Sequence, residues 1–125
     1  MRACAFALTL LLVGPATAQA PSLAFPLHLT DPVKGTVVDV KGGARLTHLV
    51  FFATWCPPCL AEMARLQELE ASWGRQGYRL VLVAVQTRQT VDRLRAFVEK
   101  DSPPGQVLLD ADGARTIDAD VGDQL

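Results

Sequence analysis

An α/β layer with parallel strand pairing follows from three features of this chain. Two short runs, Leu49-Val50-Phe51-Phe52-Ala53 and Leu80-Val81-Leu82-Val83-Ala84-Val85, are apolar at every position, as in strands buried on both faces. A stretch with helical spacing follows each of them, and a third apolar run, Val107-Leu108-Leu109, comes after the second helix. Strand, helix, strand, helix, strand is the alternation that builds a parallel sheet. With 125 residues, half of them hydrophobic, the chain is sized for one domain with a packed core. Its net charge of −1 gives no electrostatic case for nucleic acid or an anionic membrane surface.

The N-terminus reads as an export signal. Arg2 is a short basic region, Ala3 to Val13 an apolar one, and Ala16-Thr17-Ala18 a small-x-small cleavage site. Cleavage is expected after Ala18, making residues 1–18 a signal peptide. The apolar run is short beside the roughly 20 residues that a spanning helix needs. No stable membrane insertion is expected after cleavage, whereas a retained signal would anchor the protein. Cys4 leaves with the signal, so the mature chain keeps Cys56 and Cys59. An exported chain meets oxidising conditions, where disulfides persist.

Residues 19–34 carry three prolines from Pro21 onward and read as an irregular or extended lead-in to a domain over 35–125. Gly35 to Val40 is a short β-like run closed by the turn residues Gly42-Gly43. The strand from Leu46 to Ala53 is expected to be central. The next helix runs to about Trp73, with Gly74 or Gly77 ending it. After the Leu80–Val85 strand, Thr90 caps a second helix whose apolar stripe is Val91, Leu94, Phe97 and Val98. Ser102-Pro103-Pro104-Gly105 ends that helix, and Asp110-Ala111-Asp112-Gly113 forms a turn after the last strand. The two aspartates resemble the start of a calcium loop, but no glutamate completes it.

The chemistry sits in Trp55-Cys56-Pro57-Pro58-Cys59, at a strand-to-helix junction. Cysteines three apart on a first helical turn have neighbouring side chains and suit a reversible disulfide. Cys56 is the expected nucleophile, exposed at the cap, where the helix N-terminus stabilises a thiolate. Pro57 falls at the first helical position, where a missing N–H costs nothing, and Pro58 in the same turn. Both stiffen the loop. Cys59, one turn in and more buried, is the expected resolving thiol. Trp55 is expected to shield the sulfurs and to present a flat surface to a partner. At about 100° per residue, Cys59, Glu62, Met63, Leu66, Leu69 and Trp73 share one side of the helix. Glu62 then lies in the apolar stripe, partly desolvated and able to exchange a proton with Cys59; a solvated edge position is the competing reading. The pair could instead be half a zinc site, which lacks further ligands in this sequence, a two-thiolate Cu(I) site, or a small structural disulfide. His28 and His48 are isolated, with surface or hydrogen-bonded roles expected.

The segment Phe51-Phe52-Ala53-Thr54-Trp55-Cys56-Pro57-Pro58-Cys59-Leu60-Ala61-Glu62-Met63 resembles the active-site segment of exported thioredoxin-like proteins of the TlpA/ResA type. The resemblance extends from about Gly35 to the C-terminus. It implies a thioredoxin-like fold in a periplasmic or other extracytoplasmic setting. It also implies reduction of disulfides in selected proteins, often in cytochrome c maturation, fed by a membrane thiol electron donor and needing no cofactor beyond the Cys56–Cys59 disulfide. By match, Cys56 attacks, Cys59 resolves and Glu62 is the active-site glutamate. Thioredoxins carry a buried aspartate six positions before the first cysteine, where this chain has Val50. Ala64 stands where the family often has a proline, so a helix kink is not implied. The family fold continues through a cis-proline loop, two antiparallel strands and a last helix. Against that pattern a sequence ending at Leu125 is C-terminally incomplete, with an apolar strand edge unpaired. The reading is an exported thiol–disulfide oxidoreductase acting mainly as a reductant. The alternatives are an oxidase or isomerase of the same fold, or a Cu(I)-handling protein.

Overall fold

The computed structural model describes residues 25–85, 90–111 and 113. The expected signal peptide with its cleavage site, Asp112 and the residues from 114 onward lie outside them. The elements run β1 (Leu27–Thr30), β2 (Val37–Val40), β3 (Leu46–Phe52), α1 (Pro57–Ala61), α2 (Met63–Trp73), β4 (Tyr78–Val85), α3 (Val91–Asp101) and β5 (Gln106–Asp110). The strands form one sheet in the order β2-β1-β5-β4-β3. β3, β4 and β5 are parallel neighbours, and the β1–β2 hairpin joins antiparallel to β5 through Thr30 and Leu109. The strand–helix–strand alternation thus yields the expected parallel pairing.

β4 organises the interior. Leu80 to Val85 are all buried, because the strand lies between β3 and β5 and has both faces covered. Pleating sends alternate side chains to opposite faces. Leu80, Leu82 and Ala84 join Phe52, Leu66, Leu94 and Leu109 beneath the helices. Val81 and Val83 join Leu27, Leu29, Val40 and Leu108 on the other face. Each fully buried leucine or valine contributes about 1.5–3 kcal/mol relative to exposure.

Local signals set the boundaries. Thr90 Oγ1 accepts the Arg93 N–H at 3.2 Å, capping α3 as expected. Ser102, in the left-handed region at φ 44°, ends it. After α2, a 3₁₀ turn over Gly74–Gln76 closes on Gly77, whose φ of 92° suits glycine. The Gly77 carbonyl accepts the Leu46 N–H at 3.1 Å, which sets where β3 begins against β4.

Four expectations need correction. The lead-in is not irregular throughout: Leu27–Thr30 is a strand whose Leu27 and Leu29 are fully buried, so the sheet begins before residue 35. Among the described strands the one before the cysteines is not central. Among the described residues β3 lies at the sheet edge, and Leu46 to Phe51 are half-buried or exposed because only β4 flanks them. The helix after the cysteines is two helices interrupted at Glu62. In α3, Val91 is 40% exposed, so the apolar stripe effectively starts at Leu94.

Candidate active site

β3 delivers the chain to the site. Ala53 follows it, fully buried, and its carbonyl accepts the Cys56 N–H at 3.1 Å, turning the chain towards α1. Cys56 is the N-cap of α1, with extended backbone and no side-chain capping bond; Pro57 and Pro58 take the first two helical positions. Neither proline offers an N–H there, so α1 presents fewer donors to a sulfur than an ordinary helix start. The Cys56 carbonyl accepts the Leu60 N–H at 3.1 Å. Cys56 and Cys59 are joined by a disulfide across a Cα separation of 5.3 Å, inside the usual range of about 4.4–6.8 Å.

The two sulfur residues are buried in the reverse of the expected order. Cys56 is 8% exposed, packed with Ala53 and Val85, while Cys59 is half-buried. The reason is placement: the loop tucks Cys56 onto the end of the sheet, while Cys59, on α1, packs against the margins of two core clusters. Trp55 is half-buried and packs against the same cluster as Cys56. Pro57 and Pro58 are exposed.

Glu62 departs from its expected setting. It is exposed and stands at the junction where α1 ends and α2 begins. The projection that put it in the apolar stripe assumed one unbroken helix. Met63 and Leu66 do face the core. Asp110, read only as a turn residue, is the sole buried charged residue among those described. The turn itself forms, with the Gly113 N–H on the Asp110 carbonyl at 3.1 Å. Its sequence signal was the position directly after the buried Leu108-Leu109 pair.

The histidines sit in hydrogen-bonded places, as expected. His28 Nδ1 lies 2.7 Å from Asp39 on the exposed hairpin, and His48 Nδ1 lies 2.8 Å from the Tyr78 hydroxyl. Burial, and then the Glu70 charge, push the Tyr78 phenol above its ordinary value of 10.0. His48 and Tyr78 line a groove of about 590 Å³ with Leu46, Leu69 and Trp73, and none of the cysteine-loop residues lines it. Among the described residues no group of three or more His, Cys, Asp or Glu could hold a metal ion.

A mixed sheet with a parallel β3-β4-β5 core and a Cys-x-x-Cys disulfide at the strand-to-helix junction defines a thioredoxin-like protein. The chain belongs to the AhpC/TSA family, whose model matches residues 16–124. It is 32% identical over 98 residues to the thioredoxin-like protein YneN of Bacillus subtilis, covering 76% of this chain and 54% of that protein. It is 26% identical over 102 residues to sporulation thiol-disulfide oxidoreductase A of the same organism, covering 80% and 62%. Among solved structures it matches a secreted Mycobacterium tuberculosis disulfide oxidoreductase homologous to E. coli DsbE. That match has a TM-score of 0.61 and 27% identity, over 77% of this chain and 69% of the other. The chain spans between half and two thirds of the length of these two curated relatives.

Proposed function

We propose that this protein is an exported thiol–disulfide oxidoreductase that reduces disulfides of selected proteins, cytochrome c maturation being the setting the family resemblance implies. One observation carries the reading: Cys56 and Cys59 close a disulfide at the N-terminus of α1, on the end of a strand held by β4. Reduced Cys56, as thiolate, attacks a substrate sulfur, and the substrate S–S bond breaks to release one thiol. Cys59 then attacks Cys56, releasing the second substrate thiol and re-forming the Cys56–Cys59 disulfide. Two electrons pass to the substrate, and a membrane thiol carrier then supplies two more to reduce the Cys56–Cys59 disulfide, its own thiol pair being oxidised. Glu62, exposed three positions after Cys59, exchanges protons with that thiol through solvent.

Extracytoplasmic placement is part of the proposal. It rests on the signal-like residues 1–18. Among the described residues no helix is long and apolar enough to cross a membrane.

The test is the reduction potential of the pair, measured in defined thiol buffers with rapid trapping. A value near or below about −270 mV supports a dedicated reductant, whereas one towards about −120 mV makes the protein an oxidant. In parallel, Cys59→Ser is expected to accumulate a mixed disulfide with a disulfide-bonded peptide, and Cys56→Ser to form none. Trapping on Cys59 instead would reverse the assigned roles.

A further inference from the structure

A groove that the thiol chemistry does not use borders the cysteine loop. Thr54, Leu60, Met63, Phe97, Asp101 and Pro104 are among its walls, and its volume is about 410 Å³. Thr54 stands two positions before Cys56, and Leu60 directly follows Cys59, so the groove opens beside the disulfide. Met63 and Phe97 pack with Cys59 against one core cluster, which places both walls on the same face of the sheet. One wall is α1 with the start of α2; the other is the end of α3 with the turn after it. From Leu60 to Gln67 the first wall advances about 10 Å. That length matches about three residues of extended chain.

The two ends of the groove differ in chemistry. Beside the disulfide the walls are apolar: Leu60 is 37% exposed and Met63 is half-buried. β4 and β5 are parallel, so α3 runs back along them and ends away from the cysteines. Asp101, the last residue of α3, stands at that far end and is exposed. The carbonyl end of a helix carries partial negative charge, which adds to the carboxylate. Lys100, its exposed neighbour in sequence, does not line the groove. Among the described residues no cation pairs with Asp101.

We infer that this groove selects the substrate: it takes the segment of the substrate protein next to the cystine being reduced. That segment is extended, with an apolar side chain near the cysteine and a basic one about three residues from it. The inference rests on the redox reading proposed above and names the substrate class for that site. The mixed disulfide on Cys56 holds the substrate at the mouth of the groove, so the residues beside its cysteine enter at high effective concentration. An apolar side chain there covers Leu60 and Met63 and removes their exposed surface from water. A lysine or arginine further along meets Asp101, and an acidic residue at that position is opposed. Leu60 and Asp101 are the specificity-determining residues.

The test measures how fast the reduced full chain reduces disulfide-bonded peptides, with acid quenching and chromatography of the released thiols. The peptides differ only at two positions flanking each cysteine, which carry Leu and Arg, Leu and Glu, or Ser and Ser. Glutathione disulfide, too small to fill the groove, reports the thiol chemistry alone. The Leu–Arg peptide is expected to react about tenfold faster than the Ser–Ser peptide. It should exceed the Leu–Glu peptide by about threefold, as suits an exposed charge pair. Leu60→Ser is expected to remove the advantage of leucine, and Asp101→Lys to reverse the order of the Arg and Glu peptides. Both variants should reduce glutathione disulfide as the wild type does. Peptide rates within twofold of one another, with glutathione disulfide still reduced, overturn the inference while the redox reading stands. An unchanged order of the Arg and Glu peptides in Asp101→Lys also overturns it. A wild-type protein that reduces neither the peptides nor glutathione disulfide overturns the redox reading and the inference together.

Discussion

The direction of electron flow can be tested through folding stability. Consider the protein oxidised and then reduced at Cys56–Cys59. The disulfide spans a sequence separation of 3, so it closes a loop of about four residues, and the chain-entropy relation gives about 2 kcal/mol of stabilisation for the oxidised form. The opposing effect is thiolate stabilisation at the N-terminus of α1, worth about 0.3–1 kcal/mol. Pro57 and Pro58 hold that effect to the low end, because neither supplies an N–H. Loop closure wins, and the oxidised protein should be more stable by about 1–2 kcal/mol. Through the thermodynamic cycle, this places the folded couple about 20–40 mV below the same pair in the unfolded chain. Urea unfolding of both forms by far-UV circular dichroism measures it. At a slope typical of a small domain, the oxidised midpoint should lie about 1 M higher. A reduced form as stable as the oxidised one, or more so, would refute the reasoning and point to an oxidant.

Two further outcomes follow from other parts of the molecule. Gly105 has φ 70°, and a Cβ there would sit 2.7 Å from the Leu80 carbonyl oxygen, a backbone atom that cannot rotate away. Gly105→Ala should cost about 2–3 kcal/mol in urea unfolding, combining left-handed strain with that clash, and leave the redox equilibrium unchanged. A cost below about 1 kcal/mol would show that the β4–β5 contact relaxes freely. Tyr78 should titrate above 10.0 by ultraviolet absorbance, through burial first and the Glu70 charge second. Because the folded state then holds its phenol proton more tightly than the unfolded chain, stability falls as pH rises through that range. Glu70→Gln should move the Tyr78 midpoint back down, and an unmoved midpoint would leave burial as its whole cause.

Most of the architecture was legible, and the failures share a cause. The apolar runs at 49–53 and 80–85 marked strands correctly, but an all-apolar run carries no information about how many neighbours the strand has. β4 is flanked on both sides and β3, among the described residues, on one. The alternation Leu27-His28-Leu29 was a strand signal outweighed by nearby prolines. The two cysteines were legible down to their bond, because three-residue spacing on a helical turn fixes it locally. Their burial was not, since it depends on Val85, 29 positions after Cys56 along the chain. Glu62 was misplaced by projecting a single helix through a position where the structure interrupts it. Asp110 went unnoticed as a buried acid for a related reason: Asp-x-Asp-Gly is a strong turn signal, and a turn is ordinarily solvated.

The one-sided pairing of β3 bears on the order in which the molecule is assembled. Its described partner is β4, and the register begins at Leu46 with Tyr78, across the whole of both intervening helices. Such non-local pairing forms slowly compared with a helix or a hairpin. During synthesis Cys56 and Cys59 emerge well before β4 does, so these two thiols have at first no sheet to seat them. In that interval their oxidation obeys the compartment and not the fold. Only when Val85 arrives beside Ala53 does Cys56 gain its burial.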